Sequence, residues 1–211
     1  MFDARILTLS LALAFALDAG AAAPATARDG QHDCDWMFGE WKATLKKLEK
    51  PLSGSTKWIE FDGTQVSQPL LGGLANVDEF VVENETMHVR GITMRLYNPE
   101  THAWSIYWAN AKSGVLAMPP TVGHWDANGN GEFFDREDFN GKPIVVRYRW
   151  TVKSKDSAHF EQSFSPDDGR TWETNWISDL TRTAPWRRTC HPEAQPRNPG
   201  TFDSRLRHPW R

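Results

Sequence analysis

HFEQSFSPDDGRTWETNW, residues 159–176, holds two alternating segments on either side of a polar turn. The turn, Ser165-Pro166-Asp167-Asp168-Gly169-Arg170-Thr171-Trp172, fits the pattern S-x-D-x-G-x-T-W, known as an Asp-box. Asp in such a run hydrogen-bonds to nearby backbone and Gly accepts a positive φ, so the pattern specifies a folded hairpin. Asp167, Gly169 and Trp172 are therefore read as structural residues, not as a reactive centre.

Side chains alternate across a strand, so the hairpin sorts its residues into two faces. If the turn pairs Phe164 with Trp172, Gln162 faces Thr174 and Phe160 faces Trp176. Continuing back through the turn at Ser154–Asp156 matches Trp150 with Phe160 and Arg149 with Glu161. One face is then Tyr148, Trp150, Phe160, Gln162, Phe164, Trp172, Thr174 and Trp176. The other is Arg147, Arg149, Glu161, Ser163, Glu173 and Asn175. A soluble chain rarely exposes a row of aromatic rings, so the aromatic face is placed inside.

Outward from the hairpin the same pattern repeats. Trp41, Ala43 and Leu45 alternate with Lys42, Thr44 and Lys46. Short strands are predicted over 55–62, 64–71, 75–82, 87–97, 102–111, 122–126, 132–135 and 143–152, divided by Gly, Pro and Asn turns. Nine or ten short strands without a helix-period segment predict an all-β, closed antiparallel barrel. The 211 residues suffice for one domain with a sizeable core, and eleven are tryptophan.

The chain ends differ from this middle. Arg5 precedes an apolar run from Ile6 to Leu17, followed by small residues to Ala23, so residues 1–23 read as a signal peptide. That run is too short to span a bilayer, and no transmembrane segment is expected elsewhere. The protein is expected to be exported, periplasmic or secreted. Residues 24–34 read as a linker and 35–183 as the barrel domain. Residues 184–211 are rich in Pro and Arg and read as a disordered tail with little to bury. This tail holds six arginines against Glu193 and Asp203, net +4, whereas residues 24–183 come to −6. An acidic domain with a small basic tail is not built for nucleic acid. Cys34 and Cys190 either form one disulfide in an oxidising compartment or stand as unrelated thiols.

Several motifs carry chemistry elsewhere and are weighed here. Asp126-Ala-Asn128-Gly-Asn130 with Glu137 has the spacing of a Ca²⁺ loop, but its flanks read as strands, so a hairpin turn is expected. His159-x-Glu161 and His124-x-Asp126 lack a third metal ligand. No metal and no cofactor is expected. Glu161 and Glu173 share a face and are a candidate acid/base pair, though Arg147 and Arg149 beside them favour ion pairs. The common nucleophile, phosphate and dinucleotide signatures are absent.

Gly39-Glu40-Trp41 at the first strand, with Arg182 near the last, resembles the lipocalin arrangement, in which a basic side chain covers a Gly-x-Trp at the barrel floor. Beyond this, the chain resembles an uncharacterised bacterial calycin-like family, domain of unknown function 1579, over about Phe38 to Arg182. The resemblance rests on WIEFDGT at 58–64, PLLGGLANVDEF at 69–80, RGITMRLYNPET at 90–101, WSIYWAN at 104–110, Gly-Glu-Phe at 131–133 and FEQSFSPDDGRTWETNW at 160–176. It implies a closed calycin barrel and carries no catalytic residues with it. Gly39, Trp41 and Arg182 are the structural closure it implies.

The expected function is binding of a small apolar or aromatic molecule in the barrel interior. The candidate contacts are Trp104, Trp108, Tyr148, Trp150, Phe160 and Trp176, with Gln162 orienting the ligand. One alternative is an enzyme using acid/base residues in the same cavity. Another is a filled barrel that serves as an interaction module.

Overall fold

Ten antiparallel strands close on themselves in sequence order. They are β1 (Gly39–Leu48), β2 (Trp58–Leu70), β3 (Ala75–Glu83), β4 (His88–Asn98), β5 (Ala103–Asn110), β6 (Thr121–Trp125), β7 (Asn130–Phe139), β8 (Lys142–Ser154), β9 (Ser157–Ser165) and β10 (Glu173–Pro185). This computed structural model describes residues 29–85 and 87–187. Residues 1–23, read as a signal peptide, Cys190 and the tail beyond Arg187 lie outside the described residues. The segments predicted over 55–62 and 64–71 form one strand, β2, continuous through Gly63. The last strand runs two residues past the expected domain boundary.

Closure removes every free edge, because β1 pairs with both β2 and β10. The alternation of β1 shows why it sits where it does. Gly39, Trp41, Ala43 and Leu45 are buried, while Glu40, Lys42, Thr44 and Lys46 face solvent. Lys46 and Lys42 reach across to Glu60 and Asp62 of β2, at 2.6 and 3.4 Å. Such exposed pairs contribute little to stability and mainly suit the outer face to water.

The two ends of the barrel differ. At the floor, a 3₁₀ turn over Asp35–Met37 plugs the opening, and Trp36 packs edge-on against Trp41, Trp125 and Trp150, with ring centroids 5.7–5.8 Å apart. Gly30 belongs to this plug: its carbonyl accepts the indole N–H of Trp104 at 2.9 Å. Residues 29–34, expected as linker, are thus part of the floor, and Cys34 is a buried free thiol within it. Arg182 locks the plug, donating to the carbonyls of Phe38, Trp36 and Lys155 and stacking 4.1 Å above Trp41. Gly39 is required here, since at its φ of 126° a Cβ would fall 2.4 Å from the carbonyl oxygen of Ala184. At the other end, the turns at 49–57, 84–87, 111–120, 140–141 and 166–172 surround a mouth.

The Asp-box is the β9–β10 hairpin turn. Asp167 accepts from the Thr171 N–H at 2.8 Å, the Thr171 hydroxyl at 2.7 Å and the Ser165 hydroxyl at 2.8 Å. The register around it differs from the expected one. Phe164 faces Glu173, and a bulge between Thr174 and Trp176 sets Gln162 opposite Trp176 and Phe160 opposite Ser178. A bulge adds one residue to one strand and flips the side chains beyond it. The pairing of Phe164 with Glu173 puts Trp172 and Thr174, expected inside, on the outer face, and the bulge beyond them returns Trp176 to the inside. Trp172 lies under the Arg147 guanidinium, 4.2 Å from its ring. Between β8 and β9 the pairs Trp150–Phe160 and Arg149–Glu161 stand as the turn reading placed them.

Candidate functional site

The barrel encloses a cavity of about 400 Å³ that opens at the mouth. A second hollow of about 530 Å³ adjoins it at the rim, beneath the 49–53 turn, and shares Lys47, Gln162 and Trp176.

Aromatic rings build most of the inner wall. Trp150 and Phe160 meet across β8 and β9 with centroids 4.6 Å apart, and Tyr148 closes on Phe160 at 5.3 Å. Opposite them Trp176 packs against Phe61 and Phe80, and Phe80 reaches Trp108. The Trp108 ring lies flush on β4 because position 91 is glycine: a Cβ there would sit 2.5 Å from the ring. Gln162 faces the cavity, but its amide N–H donates to Asn175 at 2.8 Å, leaving the carbonyl oxygen to meet a guest. Trp108, Tyr148, Trp150, Phe160, Gln162 and Trp176 thus converge on one space. Trp104 does not. It is buried in the floor beside Tyr97 at 5.3 Å and held by Gly30, because β5 turns it below the cavity.

Two polar groups inside the barrel were not apparent in the sequence. At the deep end Arg95 Nη1 donates to Asp78 Oδ2 at 2.5 Å and to Asn76 Oδ1 at 3.0 Å, and Gln65 donates to the same Asp78 oxygen at 3.2 Å. Asp78 is 1% and Arg95 3% exposed, so this is a fully desolvated ion pair, with Asn76 and Gln65 as further partners and the Arg95 Nε left without one. Nearer the mouth, Asp135 and Glu137 project from β7 toward Tyr148 and Thr121. Burial, then the charge of Asp135 beside it, pushes Glu137 up to about 7, and burial also raises Asp135. Burial, aided by the charge of Glu137, pushes the Tyr148 hydroxyl up to about 12.

The other candidate residues lie elsewhere. Glu161 is on the outer face with His159, whose Nε2 is 3.3 Å away and whose Nδ1 meets Asp179 at 2.9 Å. Glu173 accepts the Leu52 backbone N–H at 2.6 Å, and Arg147 lies on Trp172. None of the three lines the cavity, so Glu161 and Glu173 are not an acid/base pair within it; the carboxylates that line it are Asp78, Asp135 and Glu137. The sequence Phe134-Asp135-Arg136-Glu137 places the two carboxylates on one face of a strand, with Phe134 on the other. The Asp126 loop is the β6–β7 hairpin turn. Its carboxylate accepts the backbone N–H groups of Asn128 and Asn130 at 2.8 and 2.9 Å. Burial pushes the Cys34 thiol up to about 12, which makes it unreactive. Cys190, the other half of the expected bridge, falls outside the described residues. Among the described residues no helix is long and apolar enough to cross a membrane.

No known family pattern matches the chain, and no curated protein does. Among solved structures it is similar to the S-type phycobiliprotein lyase CPES from Guillardia theta, with a TM-score of 0.52 and 9% sequence identity over 74% of this chain and 93% of that one. At this identity the likeness is one of fold. The chain is a closed, calycin-like antiparallel barrel with room for a small ligand inside.

Proposed function

We propose that the chain is an exported carrier, periplasmic or secreted, which holds a small and largely apolar or aromatic molecule in its barrel. The observation that carries this reading is the cavity of about 400 Å³ walled by Trp108, Tyr148, Trp150, Phe160 and Trp176. A pocket of that size with few polar groups suits a small organic ligand, and it leaves a filled barrel without support. Export rests on residues 1–23, and membership of the domain of unknown function 1579 family on the segments from Trp58 to Trp176 quoted above. The test is titration with a broad panel of aromatic and hydrophobic compounds, read by Trp emission, on the parent and on Thr93→Phe, which fills the cavity. Binding by the parent that Thr93→Phe abolishes supports the carrier. A silent panel overturns it.

A second reading is acid/base chemistry in the same cavity, favoured by Glu137. A carboxyl that titrates at about 7 both gives and takes a proton near neutral pH. Conversion of a bound compound by the parent but not by Glu137→Gln, with binding retained, would select it.

A further inference from the structure

The polar groups of the cavity are unequally satisfied. Gln65, Asn76, Asp78 and Arg95 serve one another at the deep end, where the Arg95 Nε and Asn76 Nδ2 donors are left over. Asp135 is 8% exposed and lines the cavity; it shares a hydrogen bond with the Glu137 carboxyl, while its Oδ1 is buried without any other hydrogen-bond partner. An acceptor taken from water without a donor carries an uncompensated desolvation penalty. Glu137 stands two residues along β7 on the same face and is reached from the mouth.

The surroundings say what would satisfy them. The charged and titratable groups facing this space are Tyr148 from β8, Asp78 from β3, Arg95 from β4 and Lys47 from β1. Arg95 is committed to Asp78. Neither carboxylate owes its shift to any cation, and among the described residues no ion pair joins Lys47 to either one. Two carboxylates thus share a cavity walled elsewhere largely by aromatic and aliphatic side chains, and aromatic faces attract cations.

We propose that Asp135 and Glu137 seat a protonated nitrogen, so that the ligand is an aromatic amine or amidine with its ring among Trp108, Tyr148 and Phe160. This rests on the reading of the cavity as a ligand site. No bond is made or broken. In the empty barrel the pair retains a proton near neutral pH, and an entering cation displaces it to solvent. Binding therefore releases a proton and tightens as pH rises through about 7.

Calorimetric titration of the full chain with 1-naphthylmethylamine, 1-naphthalenemethanol and 1-naphthoate keeps the ring constant and varies only the charge. The amine is expected to bind about tenfold or more tighter than the alcohol at neutral pH, and the carboxylate weakest. Buffers of different ionisation heat should report proton release with the amine alone. In Asp135→Asn/Glu137→Gln the amine's advantage should vanish while the alcohol's affinity stays. Replacing two desolvated acidic groups with neutral amides should not lower the melting temperature at neutral pH, so that loss would not reflect unfolding. If the alcohol binds and the amine gains nothing, or its advantage survives the double substitution, the inference fails and the ligand site stands. If none of the three binds, the inference falls, and the site falls with it only when the wider panel is silent too.

Discussion

Arg182 and Trp41 are partners in the β1–β10 ladder, and the guanidinium of one lies 4.1 Å over the ring of the other. The contact joins the first and last strands and, through the carbonyls of Trp36 and Phe38, ties the plug to both. Arg182→Ala removes a stacked cation and leaves buried carbonyls without donors. The expected loss is on the order of 2–4 kcal/mol by denaturant unfolding. Arg182→Lys should recover less than half, because an ammonium lacks the planar fork. A loss below about 0.5 kcal/mol for Arg182→Ala, typical of an exposed substitution, would show that the floor does not depend on it.

Asp78→Asn leaves Arg95 charged, buried and unpaired. Breaking such a pair from one side costs roughly 3–5 kcal/mol, whereas replacing both members with apolar residues is often neutral. Asp78→Leu/Arg95→Met should accordingly be closer to the parent in stability than Asp78→Asn. If the double variant is the less stable one, the pair is needed for folding in its own right.

The Asp-box makes a prediction in acid. Hydrogen bonds from Thr171, first from its backbone and then from its hydroxyl, hold the Asp167 carboxyl down to about 2, below its ordinary 3.8. Its stabilising effect is therefore full above that ordinary value and is lost as pH falls through about 2. The melting-temperature gap between the parent and Asp167→Ala should be constant near neutrality and close over that acidic window. A gap that persists below it would mean the turn does not depend on the ionised form.

Glu137 behaves in the opposite sense. Its pKa is raised, so its ionised form is penalised in the folded barrel. The stability it contributes is full below its ordinary 4.5 and is lost as pH rises through about 7. Glu137→Gln should match the parent in acid and melt higher in mild alkali. Equal melting curves at every pH would place Glu137 in bulk solvent.

How much of this was legible follows from which residues obey the simple rule of polar outside and apolar inside. β1 and the row Tyr148, Trp150 and Phe160 obey it, so the barrel and most of the aromatic wall could be read directly. The hairpin register went wrong at the turn, which pairs Phe164 with Glu173, and again at Asn175, because a bulge leaves no mark in alternation. The polar interior was hidden for a different reason. On β3 Asn76 and Asp78 point inward while Val77 is only partly buried, and on β7 Phe134 is exposed at 43% while Asp135 is not. Where a barrel reserves its inside for a guest, the alternation inverts, and a rule based on burial assigns the wrong face. Trp104 failed similarly: alternation places it inward, but depth along the barrel axis is invisible to a period of two.

Both described ends of the chain leave from the floor. Asp29 bonds to the Tyr97 hydroxyl there, and the Trp186 backbone lies against Gly39. An anchor, fusion or support attached at either end would therefore present the barrel opening outward, and crowding at the attachment point would not obstruct entry.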